Sequence, residues 1–204
     1  MLPYYKILTI PNLEQISHEL DQALPELVTG RFDLKAVYSF NIVDCVKLLE
    51  LAPALVGWLT AVGLKNNLIG AGFPWAAPAS VGGVHTDPRI KYPDLPNESI
   101  NFPVYNCERG YSVWYRANRE GAPSTAENGK STDELGHYLP HALPKQRLHL
   151  TQIMTADNPE LARVSTQSPV WFNTGIPHRG INFGDQPRII LTMRFDCPLD
   201  VDAL

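Results

Sequence analysis

From residue 67 to 197 the chain is cut into short strand-forming runs by closely spaced turn residues, and that punctuation limits the folds open to it. Short runs bounded by glycine or proline fall at 68–74, 76–80, 84–87, 100–105, 111–115, 147–154, 169–172 and 188–195, several of them rich in β-branched and aromatic residues. Glycine and proline recur between them, out of 14 and 18 in the whole chain. Many short strands divided in this way predict an antiparallel sandwich or jelly roll. Gly70 and Gly72 do not form a GxGxxG pattern, so no nucleotide-binding loop is expected there.

The first third reads differently. Residues 6–10 suggest a strand, and Pro11-Asn12 opens a helix with Leu13, Ile16, Leu20 and Leu24 on one stripe. Gly30 closes that region, and 34–40 is strand-like. Asp44 is placed to cap a second helix through Leu51. Pro53 is expected to kink or end it, with a further helix over 54–62 that buries Trp58 against the sheet. Together these helices would cover one face of a sheet. A length of 204 residues fits one domain, with 1–66 as a helical and strand support and 67–197 as the β core.

Charge and cysteine content narrow the function classes. A formal charge of -4 gives no electrostatic ground for nucleic-acid or membrane-surface binding, although a local basic groove stays open. Cys45, Cys107 and Cys197 are odd in number and widely spaced, which fits neither a disulfide framework nor a zinc-finger spacing. No secretory leader and no membrane-length apolar run are apparent, so a cytoplasmic location is expected. Residues 118–146 form a polar insertion of a length that usually means a functional lid or an excursion from the domain. His137 and His141 fall inside it, but Pro140 breaks the helix that would align them on a metal. His18 and His149 read as structural.

Chemistry concentrates elsewhere. In Val84-His85-Thr86-Asp87, His85 and Asp87 stand two apart, so on an extended strand both side chains leave the same face. Pro177-His178-Arg179 follows a strand-to-turn segment, and His178 is the candidate third ligand. Two imidazoles and a carboxylate on one side of a metal make the facial triad of non-haem iron oxygenases, with positions left open for other ligands. The last strand alternates. Arg188, Ile190, Thr192 and Arg194 occupy one face, and Ile189, Leu191, Met193 and Phe195 occupy a wholly apolar one that should pack on the N-terminal helices. Two arginines on an inward face need anions. Arg188, ten residues after His178, is placed to clamp the far carboxylate of a dicarboxylate.

The set His85-x-Asp87, His178 and Arg188, with Ile100 to Cys107 and Trp171 to Thr174 around it, resembles the Fe(II)/2-oxoglutarate-dependent dioxygenases, over about residues 67–197. The aspartyl/asparaginyl or prolyl-hydroxylase-like branch is the nearest in texture. The resemblance implies an α+β fold that is mainly β: a double-stranded β-helix (jelly roll, cupin-like) with N-terminal helices packed on one sheet. It implies His85, Asp87 and His178 as iron ligands and Arg188 as the anchor of the 2-oxoglutarate C5 carboxylate, with O2 as the other cosubstrate. Where some branches carry Ser or Thr two residues after that arginine, this chain has Ile190; Thr192, Asn106 or Tyr115 would then supply the second cosubstrate contact. Asn101, Tyr105, Trp114, Arg179 and Arg194 are candidate substrate contacts. The implied activity is hydroxylation of a small molecule, an amino acid or a protein side chain, with release of succinate and CO2. The alternatives are a cupin-type metalloprotein that does not use 2-oxoglutarate and a catalytically silent binding module.

Overall fold

The computed structural model describes residues 4–28, 38–82, 87, 97–115 and 160–204. Within them, α1 (Leu13–Leu27) buries Ile16, Leu20, Ala23 and Leu27 on one stripe, with Leu13 and Leu24 flanking it half-buried. Asp44 caps α2 (Cys45–Leu51) as expected, its Oδ1 accepting the N–H groups of Val46 at 2.8 Å and Lys47 at 3.4 Å. The helix stops before Pro53, which begins α3 (Pro53–Ala61) at the first position, where a missing N–H leaves nothing unsatisfied. Glu19 of α1 accepts the N–H of Ala54 at 2.7 Å and ties α1 to the start of α3. No helix among the described residues is long and apolar enough to cross a membrane.

The strands are β1 (Tyr5–Ile7), β2 (Tyr38–Val43), β3 (Leu68–Ala76), β4 (Ser80–Val81), β5 (Glu98–Tyr105), β6 (Gly110–Tyr115), β7 (Glu160–Ser165), β8 (Val170–Asn173), β9 (His178–Asn182) and β10 (Arg188–Phe195). They form a larger sheet in the order β1-β8-β5-β10-β3-β2 and a smaller one in the order β4-β9-β6-β7. Every pairing is antiparallel. From β3 onward the described strands alternate between the sheets, except that β6 and β7 lie in the same one. That is a double-stranded β-helix.

Several boundaries move. The first strand is shorter than expected, and Leu8 and Ile10 are buried just beyond it. β2 runs on to Val43, beyond the expected end at residue 40, and 29–37 fall outside the described residues. The run at 68–74 continues through Pro74 to Ala76 as β3, held from both sides by β10 and β2, whereas the run at 76–80 is a turn that reaches β4 only at Ser80. β7 and β9 had no place in the strand pattern of the sequence. The expected strand 147–154, the 118–146 insertion, His137, His141 and His149 lie outside the described residues.

β10 decides where the core sits. Ile189, Leu191, Met193 and Phe195 join Phe73, Trp75, Ile100, Phe102 and Trp171 in one apolar layer under Ile16, Leu20, Leu55 and Leu59 of the helices. Trp58 is buried there and meets Phe102 edge-on at 5.2 Å. Each such side chain stabilises the fold by about 1.5–3 kcal/mol on burial, so the helices fix the outer face of the larger sheet. Its other face is left to the smaller sheet.

The β5–β6 turn pins the start of β10. Asn106, at φ 49°, donates from Nδ2 to the carbonyl of Pro187 at 3.1 Å. Cys107 donates from Sγ to the carbonyl of Ile189 at 3.2 Å. Burial pushes the Cys107 thiol above its ordinary range, a rise that the nearby Arg188 guanidinium only partly opposes. The thiolate is the reactive form, so at about pH 8 Cys107 should resist Ellman's reagent in the native protein and react once urea unfolds it. Peptide mapping by mass spectrometry checks this, and prompt native labelling of Cys107 would contradict it.

Candidate metal centre and cleft

Between the sheets, the inward faces of β10, β5 and β8 meet those of β9 and β6 around a cleft that is open to solvent at its mouth. Antiparallel pairing puts His178 opposite Trp114, Gly180 opposite Ser112 and Asn182 opposite Gly110, so all six face the same way. Asn182, fully buried, builds the turn into β10. Its Nδ2 donates to the carbonyls of Ala77 at 3.0 Å and Gln186 at 2.8 Å, and its Oδ1 accepts from the N–H of Gly184 at 2.9 Å.

His178 and Asp87 come together at one end. The N–H of Asp87 donates to the carbonyl of Thr174 at 2.9 Å, which fixes its backbone. Nδ1 of His178 lies 2.8 Å from the carbonyl of Ile176. A carbonyl only accepts, so Nδ1 carries a proton, and in the neutral ring Nε2 keeps its lone pair. The ring of Phe172, its centroid 4.8 Å away and its plane at 78° to the imidazole, holds the plane of the ring. Nε2 then faces Oδ2 of Asp87 across 3.9 Å. Two electron-pair donors that face each other at this separation suit a shared cation, and neutral imidazole with carboxylate is a donor set for a divalent transition metal. His85 lies outside the described residues, and among those described no group of three metal-ligating side chains gathers.

The arginines of β10 divide their work. Arg194, 3% exposed, donates from Nη2 to Oδ2 of Asp87 at 2.9 Å. It was a candidate substrate contact, but its described partner is the candidate metal ligand. Arg188, 1% exposed, lines the cleft close to Gly110 and Gly180. Thr192 lines the same space, and its hydroxyl donates to Oδ1 of Asn101 at 2.6 Å. The Ser99 hydroxyl donates to the same oxygen at 3.3 Å. Asn101 also lines the cleft, and its Oδ1 thus accepts from two hydroxyls.

The other sequence candidates differ in their surroundings. Asn106 uses its amide on Pro187, and Tyr105 is 44% exposed; neither is among the described lining residues. Trp114 is buried with Val164, Val170 and Phe172, and its Nε1 donates to the carbonyl of Asn173 at 3.0 Å. Tyr115 is one residue out of phase with the inward face. Its ring sits 5.1 Å under the Arg179 guanidinium, and burial raises its phenol while that guanidinium opposes the rise. Arg179 itself borders the cleft. The lining residues missed are Phe40, Pro74, Ser99, Ser112, Phe172, Thr174 and Gly180. Thr174 is 2% exposed, and its hydroxyl makes no hydrogen bond among the described residues. One signal was available for Ser99 and Ser112: each is polar at every-second-residue spacing from an inward neighbour, Asn101 and Trp114 respectively.

No family model matches the chain, and no curated protein matches it. Solved structures do. The non-heme alpha-ketoglutarate-dependent carbocyclase SnoK from nogalamycin biosynthesis aligns over 97% of this chain and 84% of its own, with a TM-score of 0.54 and 13% identity. HygX from Streptomyces hygroscopicus, with nickel and 2-oxoglutarate bound, aligns over 93% of this chain and 81% of its own, with a TM-score of 0.50 and 11% identity. At such identity these likenesses bear on the fold, and they agree with the strand order: a double-stranded β-helix of the cupin type.

Proposed function

We propose that the protein is an Fe(II)- and 2-oxoglutarate-dependent oxygenase that hydroxylates a C–H bond of a small molecule, an amino acid or a protein side chain. One observation carries this reading. The Nε2 atom of His178 and the Asp87 carboxylate face each other at 3.9 Å in the cleft that also receives the buried side chain of Arg188. HygX, which has the same fold, is seen with nickel and 2-oxoglutarate bound.

His85, Asp87 and His178 would hold the iron. When bound, Fe(II) supplies the redox chemistry by which O2 converts 2-oxoglutarate to succinate and CO2 while one oxygen atom enters a substrate C–H bond. The protein's own part is placement. The Ile176 carbonyl holds the His178 tautomer, and Arg194 orients Asp87. Arg188 would fix the C5 carboxylate through paired N–H donors. Ser99 and Thr192 occupy Oδ1 of Asn101, whose amide N–H groups would serve an acceptor atom of a ligand. Phe40, Phe172 and Ile190 line the cleft with apolar surface, which excludes water from the reacting atoms. Arg179 at the rim would meet an anionic substrate.

An anaerobic titration tests the proposal. Fe(II) and 2-oxoglutarate together should produce a visible metal-to-ligand charge-transfer band, and His178→Ala should abolish it while the far-ultraviolet circular dichroism stays native. A folded protein that binds Fe(II) and gives no band would instead indicate a metalloprotein that does not use 2-oxoglutarate.

A further inference from the structure

Arg188 reaches the cleft over a strip of the smaller sheet that carries no side chains. Gly110 of β6 and Gly180 of β9 both face inward there, diagonally across adjacent strands. Neither has a positive φ, so backbone conformation does not call for glycine at either position. Close approach does. A Cβ on Gly110 would stand 2.5 Å from Cδ of Arg188 and would also collide with Oγ1 of Thr166. A Cβ on Gly180 would stand 2.8 Å from Nη2 of Arg188. The first glycine lies under the stem of the arginine and the second under its tip. Thr166 closes the trough on one side, its hydroxyl held by the carbonyl of Cys107 at 3.2 Å. That same turn pins the backbone from which Arg188 springs.

We propose that Gly110 and Gly180 form a trough that sets where the Arg188 guanidinium stops, and thereby selects the length of the dicarboxylate that spans from it to the metal centre. The inference rests on the cosubstrate reading above. Gly180 and His178 are two residues apart on one face of β9, so the guanidinium tip and the imidazole are spaced along a single strand by about 7 Å. That is the length scale of a short diacid. A methyl group on Gly180 would lift the tip off β9 into the cleft and shorten the available span. The two glycines are positioning residues, because they act through Arg188.

Calorimetric binding of 2-oxoglutarate and of oxaloacetate, one methylene shorter, to the Mn(II)-loaded protein tests this. Gly180→Ala should weaken 2-oxoglutarate by about tenfold, and oxaloacetate by less, with Mn(II) affinity unchanged. In an Arg188→Ala background the same substitution should add nothing. Unchanged 2-oxoglutarate binding by folded Gly180→Ala, or equal losses in both backgrounds, overturns the trough alone. A wild-type protein that binds neither diacid overturns the cosubstrate reading and the trough's role with it. If Gly180→Ala does not fold, the variant lacking Arg188 removes the collision. Methylguanidinium should then restore 2-oxoglutarate binding to Arg188→Ala and fail with Gly180→Ala added; restoration in both overturns the proposal.

Discussion

Replacing Arg188 with alanine should weaken 2-oxoglutarate binding by about a hundred- to a thousandfold, because paired charge-assisted hydrogen bonds to a buried carboxylate are worth about 3–4 kcal/mol. The side chain is 1% exposed, so water screens little of that interaction. Other side chains would hold the metal, and Mn(II) affinity should stay within about twofold. Arg188→Lys should recover only part of the loss, since an ammonium is a single point of charge and cannot match both carboxylate oxygens. Calorimetric titrations of metal and of 2-oxoglutarate into each variant measure the two affinities separately. Equal loss of both would remove Arg188 from the role of cosubstrate anchor.

Glu98→Ala should be among the most destabilising single substitutions, at about 3–5 kcal/mol. Glu98 is 4% exposed. Its Oε2 accepts from Nε1 of Trp171 at 2.8 Å and its Oε1 from the N–H of Leu199 at 2.8 Å. One carboxylate thus joins β5, β8 and the segment after β10. Alanine would leave two buried donors without it and a void beside Trp171, which is itself 1% exposed. Glu98→Gln keeps one acceptor oxygen and should cost roughly half as much. Urea unfolding followed by tryptophan fluorescence reads the difference. A loss below about 1 kcal/mol for Glu98→Ala would show that the segment after β10 is held by other contacts.

Much of the fold could be read locally. The two faces of β10 followed from strict alternation, because a strand with one wholly apolar side has one way to lie against a core. The ends of α2 and α3 followed from Asp44 and Pro53, whose effects are confined to the neighbouring turn. β7 and β9 could not be read this way. His178-Arg179-Gly180-Ile181-Asn182 has little intrinsic strand preference, and it is extended because β6 and β4 lie on either side of it. In β7, Glu160 and Arg163 form an exposed pair bonded at 2.7 Å, which blurs the apolar pattern. Tyr115 and Asn106 show the same limit from the other side. Their residue types suited a cosubstrate contact, but strand phase turns one outward and the β5–β6 turn spends the other on Pro187.

By itself the sequence determined which residues share a face and where helices begin, since both depend on spacings of a few residues. It also supplied His85, Asp87, His178 and Arg188 as the candidates to watch. Only the tertiary structure decided partnership. Arg194 meets Asp87 across 107 residues, and Arg188 lies over Gly110 and Gly180 on two other strands. Such contacts are set by which strands become neighbours and in what register, and that choice belongs to the packing of the whole chain rather than to any short stretch of it.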